Sequence, residues 1–305
     1  MTATIIDGKA IAEKINLKTA TKVTALKAQG ITPLLGVILV GADKPSQTYV
    51  RKKGEMAEKL GFEFILHTLP ASMSAQELVE KIEEAQHQKY ISGLIVQLPL
   101  PEKLYTLEVL NAVHAEIDVD CLTNVNIGKL VMKTNHIVPP TPGAVLTILH
   151  DLKVPLSGQN VTIIGAGALV GKPLAIMMMN EGASVTVCNS RTRDTKAKCL
   201  QADIIITGVG KKDILRGDMI KPGAVVIDTG INFADGKMHG DVNVDEVSKL
   251  ASYVTPTPGG VGPITVARLL WNTVLCAQRN LETGFDLTGF SCPKYKKPLE
   301  QKYTL

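Results

Sequence analysis

The sequence lacks the marks of several protein classes. Its five cysteines, Cys121, Cys188, Cys199, Cys276 and Cys292, are odd in number and scattered, with no Cys-x-x-Cys pair. That argues against a disulfide framework and a zinc site, and predicts reduced thiols in a cytoplasmic protein. The six histidines are isolated, so no metal is expected. No apolar run is long enough to span a membrane, and Met1-Thr-Ala-Thr-Ile-Ile-Asp7 lacks the basic and hydrophobic regions of a signal peptide. A strong charge of one sign is also missing. The 33 basic and 29 acidic residues leave a net charge of +4, too mild and too evenly spread for nucleic acid as the main partner. Such an excess suits an anionic small molecule and is equally ordinary surface variation.

What is present is apolar and patterned. The 305 residues are 45% hydrophobic, enough for one large core or two ordinary ones. A mean hydropathy of +0.14 excludes disorder over most of the length. Strand-like runs at Leu34–Val40, Phe62–Leu69 and Gly93–Leu98 alternate with helical patterns at Ala10–Gln29, Gln47–Leu60 and from Ser74 to about Gln88. Ser74 with Glu77 forms a capping box, and Gly30 and Gly61 are stop signals. This alternation predicts a parallel α/β unit with its site at the strand C-termini.

A proline-rich joint, Ile137-Val-Pro-Pro-Thr-Pro-Gly143, closes that unit, and a helix from Ala144 to about Asp151 follows. Beyond it, Val161–Ile164, Ser184–Cys188, Asp203–Thr207 and Ala224–Asp228 are further short strands. Tyr253 to Pro263 reads as a second rigid connection, and Ile264–Cys276 as an apolar helix packing back on the first domain. The expected division is 1–139, 140–263, a C-terminal helix over 264–280, and a loosely docked tail over 281–305.

Val161-Thr-Ile-Ile-Gly-Ala-Gly-Ala-Leu-Val-Gly171 is a strand, a glycine turn and a helix start. Backbone amides at such a turn can receive a pyrophosphate. The glycines stand at positions one, three and seven, where the dinucleotide fingerprint has one, three and six, so a plain tight turn is the competing reading. An NAD site carries an acid about 20 residues beyond the glycines. Here Asn189, Ser190, Arg191, Thr192 and Arg193 follow the next strand, which tilts the reading towards NADP over NAD.

In the first half, Tyr49 and Lys53 are four apart in a helix and project from one face, with Ser46 as a cap or a further polar group. They form either a solvated basic surface with Arg51 and Lys52, or a base whose pKa neighbouring cations and burial lower. Gln97 ends an apolar strand and points either to loop backbone or into a crevice. Asp118 and Asp120 alternate, so an extended chain would put both on one side; turn chemistry is the alternative.

Together the motifs resemble the bifunctional methylenetetrahydrofolate dehydrogenase/cyclohydrolase family. The likeness is carried by Tyr49-Val-Arg-Lys-Lys53, Gly93-Leu-Ile-Val-Gln-Leu-Pro-Leu-Pro101, Asp118-Val-Asp120, Pro140-Thr-Pro-Gly143, Val170-Gly-Lys-Pro-Leu174, Val226-Ile-Asp-Thr-Gly-Ile-Asn232 and Pro258-Gly-Gly-Val-Gly-Pro263. It implies an N-terminal parallel α/β catalytic domain and a Rossmann-type NAD(P)-binding domain with the site between them, in a homodimer. It also implies hydride transfer from 5,10-methylenetetrahydrofolate to NADP, then hydrolysis to 10-formyltetrahydrofolate.

By the same resemblance Lys53 is the catalytic lysine and Gln97 positions it. Tyr49 lies against the folate, Asp120 holds the pterin, and Gly259, Gly260 and Pro263 form the substrate-side loop. Gly165, Ala166, Gly167, Ser190, Arg191 and Ile231 fall at cofactor contacts. The departures are Ala166-Gly167 for Arg-Ser at the cofactor turn, Glu55 for a basic residue, Cys121-Leu-Thr123 for Gly-Phe-His, and Pro140 for cysteine. Two rivals follow: an NAD-dependent dehydrogenase without cyclohydrolase activity, and a non-catalytic nucleotide- or folate-binding protein.

Overall fold

In the computed structural model, residues 2–87, 91–234, 237–285 and 287 are described. The first half contains β1 (Thr4–Ile5), α1 (Gly8–Lys27), β2 (Leu34–Val40), α2 (Lys44–Lys59), β3 (Glu63–Leu69), α3 (Ala75–Gln86), β4 (Ile91–Val96), α4 (Leu107–Asn111) and α5 (Asn124–Val131). The second begins with α6 (Pro140–Asp151), β5 (Asn160–Ile164), α7 (Gly171–Asn180), β6 (Ser184–Cys188), α8 (Thr195–Gln201) and β7 (Ile204–Thr207). It ends with β8 (Val225–Asp228), β9 (Asn232–Ala234), β10 (Lys237–His239), α9 (Val244–Val247), β11 (Tyr253–Val254) and α10 (Val261–Thr283).

Two parallel sheets result. One has the order β3-β2-β4, the other β1-β11-β8-β7-β5-β6. Every residue of β2 and β4 is buried, as an unbroken apolar run between helices requires. The capping box at Ser74 and Glu77 forms, and its helix ends at Gln86; Gln88 lies outside the described residues. Asp7 caps α1 by accepting from the amides of Lys9 and Ala10.

Several expectations needed correction. β1 belongs to the second sheet, where Thr4 and Ile5 pair with Tyr253 and Val254, so the chain starts in the second half before building the first. Two residues are too few to show periodicity. Tyr253–Val254 is accordingly a strand and not a connection. Both proline-rich joints are partly helical: α6 starts at Pro140 and α10 at Val261, because proline in a first turn forgoes an amide with no helical partner. The last helix reaches Thr283, with Gly284 as a left-handed cap, so Leu281–Thr283 are not tail. The tail beyond Leu287 lies outside the described residues.

Helix α10 joins the two cores. Its Val261, Ile264 and Ala267 pack with Ile6, Ile11, Val161 and Ile163 under the larger sheet. Its Leu269, Leu270 and Val274 pack with Leu35, Val37, Ile95 and Val119 under the smaller one. Each fully buried aliphatic side chain there contributes about 1.5–3 kcal/mol. The buried Asn272 adds two hydrogen bonds, donating to the carbonyls of Val119 at 2.9 Å and Val138 at 2.7 Å. The two sheets are thereby held in a fixed relation.

Candidate active site

Lys53 and Gln97 meet although 44 residues separate them. Helix α2 presents Lys53 and the end of β4 presents Gln97, and the lysine Nζ donates to Gln97 Oε1 at 2.9 Å. Gln97 is itself fixed: its amide donates to the Ile38 carbonyl at 2.8 Å, and its Nε2 to the Leu98 carbonyl at 2.6 Å. Burial draws the Lys53 pKa below the usual lysine value, against the opposing pull of the Asp120 carboxylate. Burial raises the Asp120 pKa, while the Lys53 charge lowers it and Asp118 raises it further. A less basic lysine, an amide acceptor and a carboxylate thus share one desolvated place, as proton handling near neutrality demands.

Asp118 and Asp120 do not share a side. The segment is a turn, and Asp118 is buried, accepting from the amides of Leu122 (3.1 Å) and Thr123 (2.9 Å) and from Asn126 Nδ2 (3.0 Å). Its hydrogen-bonding capacity goes to the loop over residues 118–126, in which Cys121 takes a left-handed φ of 57°. Asp120 alone faces Lys53.

Tyr49 lies one turn before Lys53 on α2, half-buried, and burial raises its phenol pKa. Ser46 is neither the cap nor a free polar group. The N-cap is Asp43, whose Oδ2 accepts from both the amide (2.9 Å) and hydroxyl (2.7 Å) of Ser46, so α2 starts earlier than its apolar pattern suggests.

The cofactor turn is built from backbone. Gly165 has φ +121° and donates its amide to the Cys188 carbonyl at 2.9 Å; a Cβ there would lie 2.5 Å from the Gly208 carbonyl oxygen. A Cβ on Gly171 would collide with the carbonyl of Gly165, so the seventh-place glycine does the close packing usually done by the sixth. Nothing approaches within 4 Å of the place a Gly167 Cβ would fill. Helix α7 starts there with no side-chain cap and no acid in its first turn; the Lys172 amide donates to the Gly167 carbonyl at 3.0 Å and Pro173 has none, so the Gly171 amide is the one left for a pyrophosphate. A dinucleotide fits this cradle.

Beside it, β5 and β6 run parallel with Ile164 opposite Cys188, so the loop after β6 lies next to the turn. Asn189 Oδ1 accepts from the Arg191 amide at 2.9 Å, and Ser190 and Arg191 are both exposed. Ile231 follows β8 and is 39% exposed.

The loop Gly259–Gly260 is clamped to the start of α1. Gly8 donates its amide to the Gly259 carbonyl at 3.1 Å, and a Gly8 Cβ would strike the Gly260 carbonyl. Gly259 has φ +102°, and Pro263 stands in the first turn of α10. Among the described residues, no hydrogen bond joins this loop to Lys53 or Gln97.

Two carboxylates escaped the sequence reading. Asp228, at the end of β8, accepts from Thr207 Oγ1 (2.9 Å) and from the amides of Gly230 (2.8 Å) and Val242 (3.0 Å). Burial pushes its pKa up to about 6. Asp241 accepts from the amides of Val209 at 2.6 Å and Lys211 at 2.7 Å. Together they order the loops after β7 and β8, including the approach to Ile231. The available signal was an acid closing an apolar strand, Val-Val-Ile-Asp228.

Both halves of the chain are similar to known proteins. Residues 6–120 match the tetrahydrofolate dehydrogenase/cyclohydrolase catalytic domain, and residues 139–281 the NAD(P)-binding domain of that family. The bifunctional protein FolD of Bacillus licheniformis is 44% identical over 283 residues, covering 92% of this chain and 100% of that protein. That of Moorella thermoacetica is 44% identical over 280 residues, again covering 92% and 100%. The crystal structure of the Campylobacter jejuni bifunctional FolD superposes with a TM-score of 0.88 at 40% identity, covering 91% of this chain and 99% of that one. The Trypanosoma brucei FolD, complexed with NADP cofactor and inhibitor, gives 0.89 at 36% identity, covering 92% and 99%. With both of its halves matched in order, the chain belongs to the tetrahydrofolate dehydrogenase/cyclohydrolase family.

Proposed function

We infer that this protein is a bifunctional methylenetetrahydrofolate dehydrogenase and methenyltetrahydrofolate cyclohydrolase using NADP. The Lys53–Gln97 contact beside Asp120 is the observation that carries this reading to particular residues. NADP, when bound, accepts a hydride from the methylene carbon of 5,10-methylenetetrahydrofolate. This chain's part in that step is alignment, with Asp120 receiving N–H donors of the pterin, Tyr49 lying against the folate, and the Gly259–Gly260 backbone and Pro263 closing the substrate side. Gly165, Ala166, Gly167 and Ile231 line the dinucleotide, and Ser190 and Arg191 supply hydroxyl and guanidinium groups for a 2′-phosphate.

Hydrolysis of the methenyl product requires proton movement. Lys53, with its lowered pKa, takes the proton from the attacking water, and Gln97 fixes the ammonium that forms. The N5–carbon bond of the hydroxyl adduct then breaks as N5 takes the proton back from the Lys53 ammonium and the adduct's hydroxyl proton leaves to solvent, which gives 10-formyltetrahydrofolate.

In this reading residues 1–139 form the folate half and 140–263 the nucleotide half, with β1 lent to the latter. The protein works as a cytoplasmic homodimer. The four described cysteines are free thiols, and no helix among the described residues is long and apolar enough to cross a membrane. Met132 at the C-cap of α5, Met179 on α7 and Val187 on edge strand β6 are exposed apolar side chains on neighbouring elements, and a second copy would cover them.

The test is to supply methylenetetrahydrofolate with NADP or NAD and to follow reduced nicotinamide and methenyl species together. NADP reduction with methenyl decay faster than the uncatalysed rate is expected. Reduction without accelerated decay would leave only a dehydrogenase, and no reduction with either cofactor would remove the enzymatic reading.

A further inference from the structure

Helix α10 is apolar from Leu269 to Cys276 except at Asn272 and Thr273. The Thr273 hydroxyl bonds within the helix, donating to the Leu269 carbonyl at 3.0 Å. Asn272 bonds outward. It is fully buried, and its Nδ2 donates to two carbonyls from distant parts of the chain. One is that of Val119, in the peptide bond that leads into Asp120. The other is that of Val138, in the connection that leads into α6 and the nucleotide half. Among the described residues, neither carbonyl accepts a second hydrogen bond. The asparagine Oδ1 is buried with no partner. An unpaired buried acceptor costs stability, so packing does not account for an amide at this position, whereas its two donated bonds do.

The loop around Asp120 is otherwise closed mostly by its own groups. The Val119 amide donates to the Ile117 carbonyl at 2.9 Å and the Cys121 amide to the Asp118 carbonyl at 3.0 Å, while the Asp118 carboxylate accepts from Leu122, Thr123 and Asn126. The tie to β4, from the Leu94 amide to the Ile117 carbonyl at 2.8 Å, lies upstream of Asp120. Of these bonds to other elements, the one from Asn272 is the one next to Asp120. We propose that Asn272 is a positioning residue, whose single amide holds the Asp120 carboxylate in place for the pterin and in fixed register with the start of the nucleotide half. The inference rests on the role given to Asp120 above. Asn272 touches no reacting atom. It acts through Asp120 on folate binding and on the charge beside Lys53, and through Val138 on the alignment of the two halves.

Full-length Asn272→Ala tests this, because it removes both donors without overpacking the site. Folic acid affinity, by calorimetric titration, should fall about tenfold, as loss of hydrogen bonds from the pterin to a charged group implies, while NADP affinity stays within about threefold. KM for methylenetetrahydrofolate should rise by a similar factor. The pH at which methenyl hydrolysis stops rising should move down, since the Asp120 charge that opposes the effect of burial on Lys53 is no longer held beside it. Val274→Ala is the packing control. Val274 is fully buried on the same helix and its side chain donates nothing, so that variant should lose stability yet keep the folic acid affinity and pH profile of the unaltered protein. Asn272→Thr keeps one donor at similar volume and should fall between, and it carries the test if the alanine variant does not fold. Folic acid affinity and a pH profile unchanged in the Asn272 variants, or the same shifts in Val274→Ala, would overturn the proposal. Turnover of the unaltered protein is measured separately. Normal turnover with unchanged affinity in the variants sinks this inference alone, and weakened folic acid binding in a protein without turnover sinks only the enzymatic reading.

Discussion

The two halves of the crevice are built on different principles. On the folate side the chemistry resides in side chains, an amine, an amide and a carboxylate whose identities cannot be exchanged. On the nucleotide side it resides in backbone, where Gly165, Gly171 and Gly208 are needed for what they lack and Gly167 stands with open space around it. A side-chain site fails when one atom is lost. A backbone site fails when one is added.

The sharpest way to break the comparison is at Lys53. Lys53→Ala should lower methenyl hydrolysis by about 10²- to 10⁴-fold, the range for a general base, while NADP reduction stays within about tenfold because hydride transfer moves no proton. The unaltered enzyme should also hydrolyse faster as pH rises, with the increase ending below the usual lysine pKa, since the neutral amine is the active form and burial lowers that pKa. Hydrolysis in the alanine variant that matches the unaltered enzyme would remove the assigned role.

On the backbone side the matching change adds an atom. Gly165→Ala places a Cβ 2.5 Å from the Gly208 carbonyl oxygen at a φ of +121°, so the turn must shift. A misplacement of that order costs about 10²-fold, read here as reduced kcat/KM for NADP, with hydrolysis of supplied methenyltetrahydrofolate nearly unchanged. Equal loss of both activities would mean that the two halves are not separable as described.

The contrast also explains what could be read from the chain. Elements with strong periodicity or punctuation were legible: β2 as an unbroken apolar run, α3 from its capping box, the cofactor turn from its glycines. Lys53 and Gln97 were legible as candidates, but their contact across 44 residues was not, because no local pattern encodes a tertiary hydrogen bond. The fates of Asp118 and Asp120 diverge for the same reason. Their spacing is that of a strand, yet the left-handed Cys121 and the amides of Leu122 and Thr123 turn one carboxylate inward. β1 was invisible because its partner, Tyr253, lies almost the full chain away.

A smaller effect is expected where the two principles mix. Ser190 and Arg191 are side-chain contacts set on the backbone-built side, and both are exposed. Ser190→Ala/Arg191→Ala should lower the NADP-to-NAD ratio of kcat/KM by about tenfold, since hydrogen bonds to a charged group contribute about 1.5–3 kcal/mol and exposure weakens them. An unchanged ratio would leave the 2′-phosphate to α7 and the turn.

The smallest effect belongs to the outer face of α2. Glu55 stands two places after Lys53, where the resemblance leads one to expect a basic residue, and an acid so close to the site invites a catalytic explanation. The geometry argues otherwise. Glu55 accepts from Arg51 at 2.7 Å in an i,i+4 pair whose side chains are 65% and 59% exposed. Lys53 turns the other way, into the contact with Gln97. Glu55→Ala therefore removes only a solvent-screened helix pair, about 0.3–0.5 kcal/mol in thermal or denaturant unfolding, and hydrolysis should change by less than about twofold. Glu55→Lys should do no more to the rate, although it places a like charge beside Arg51 and costs a similar amount of stability. A larger change in hydrolysis from either variant would show that the electrostatics of the whole helix, and not the side-chain constellation alone, set the reactivity of Lys53.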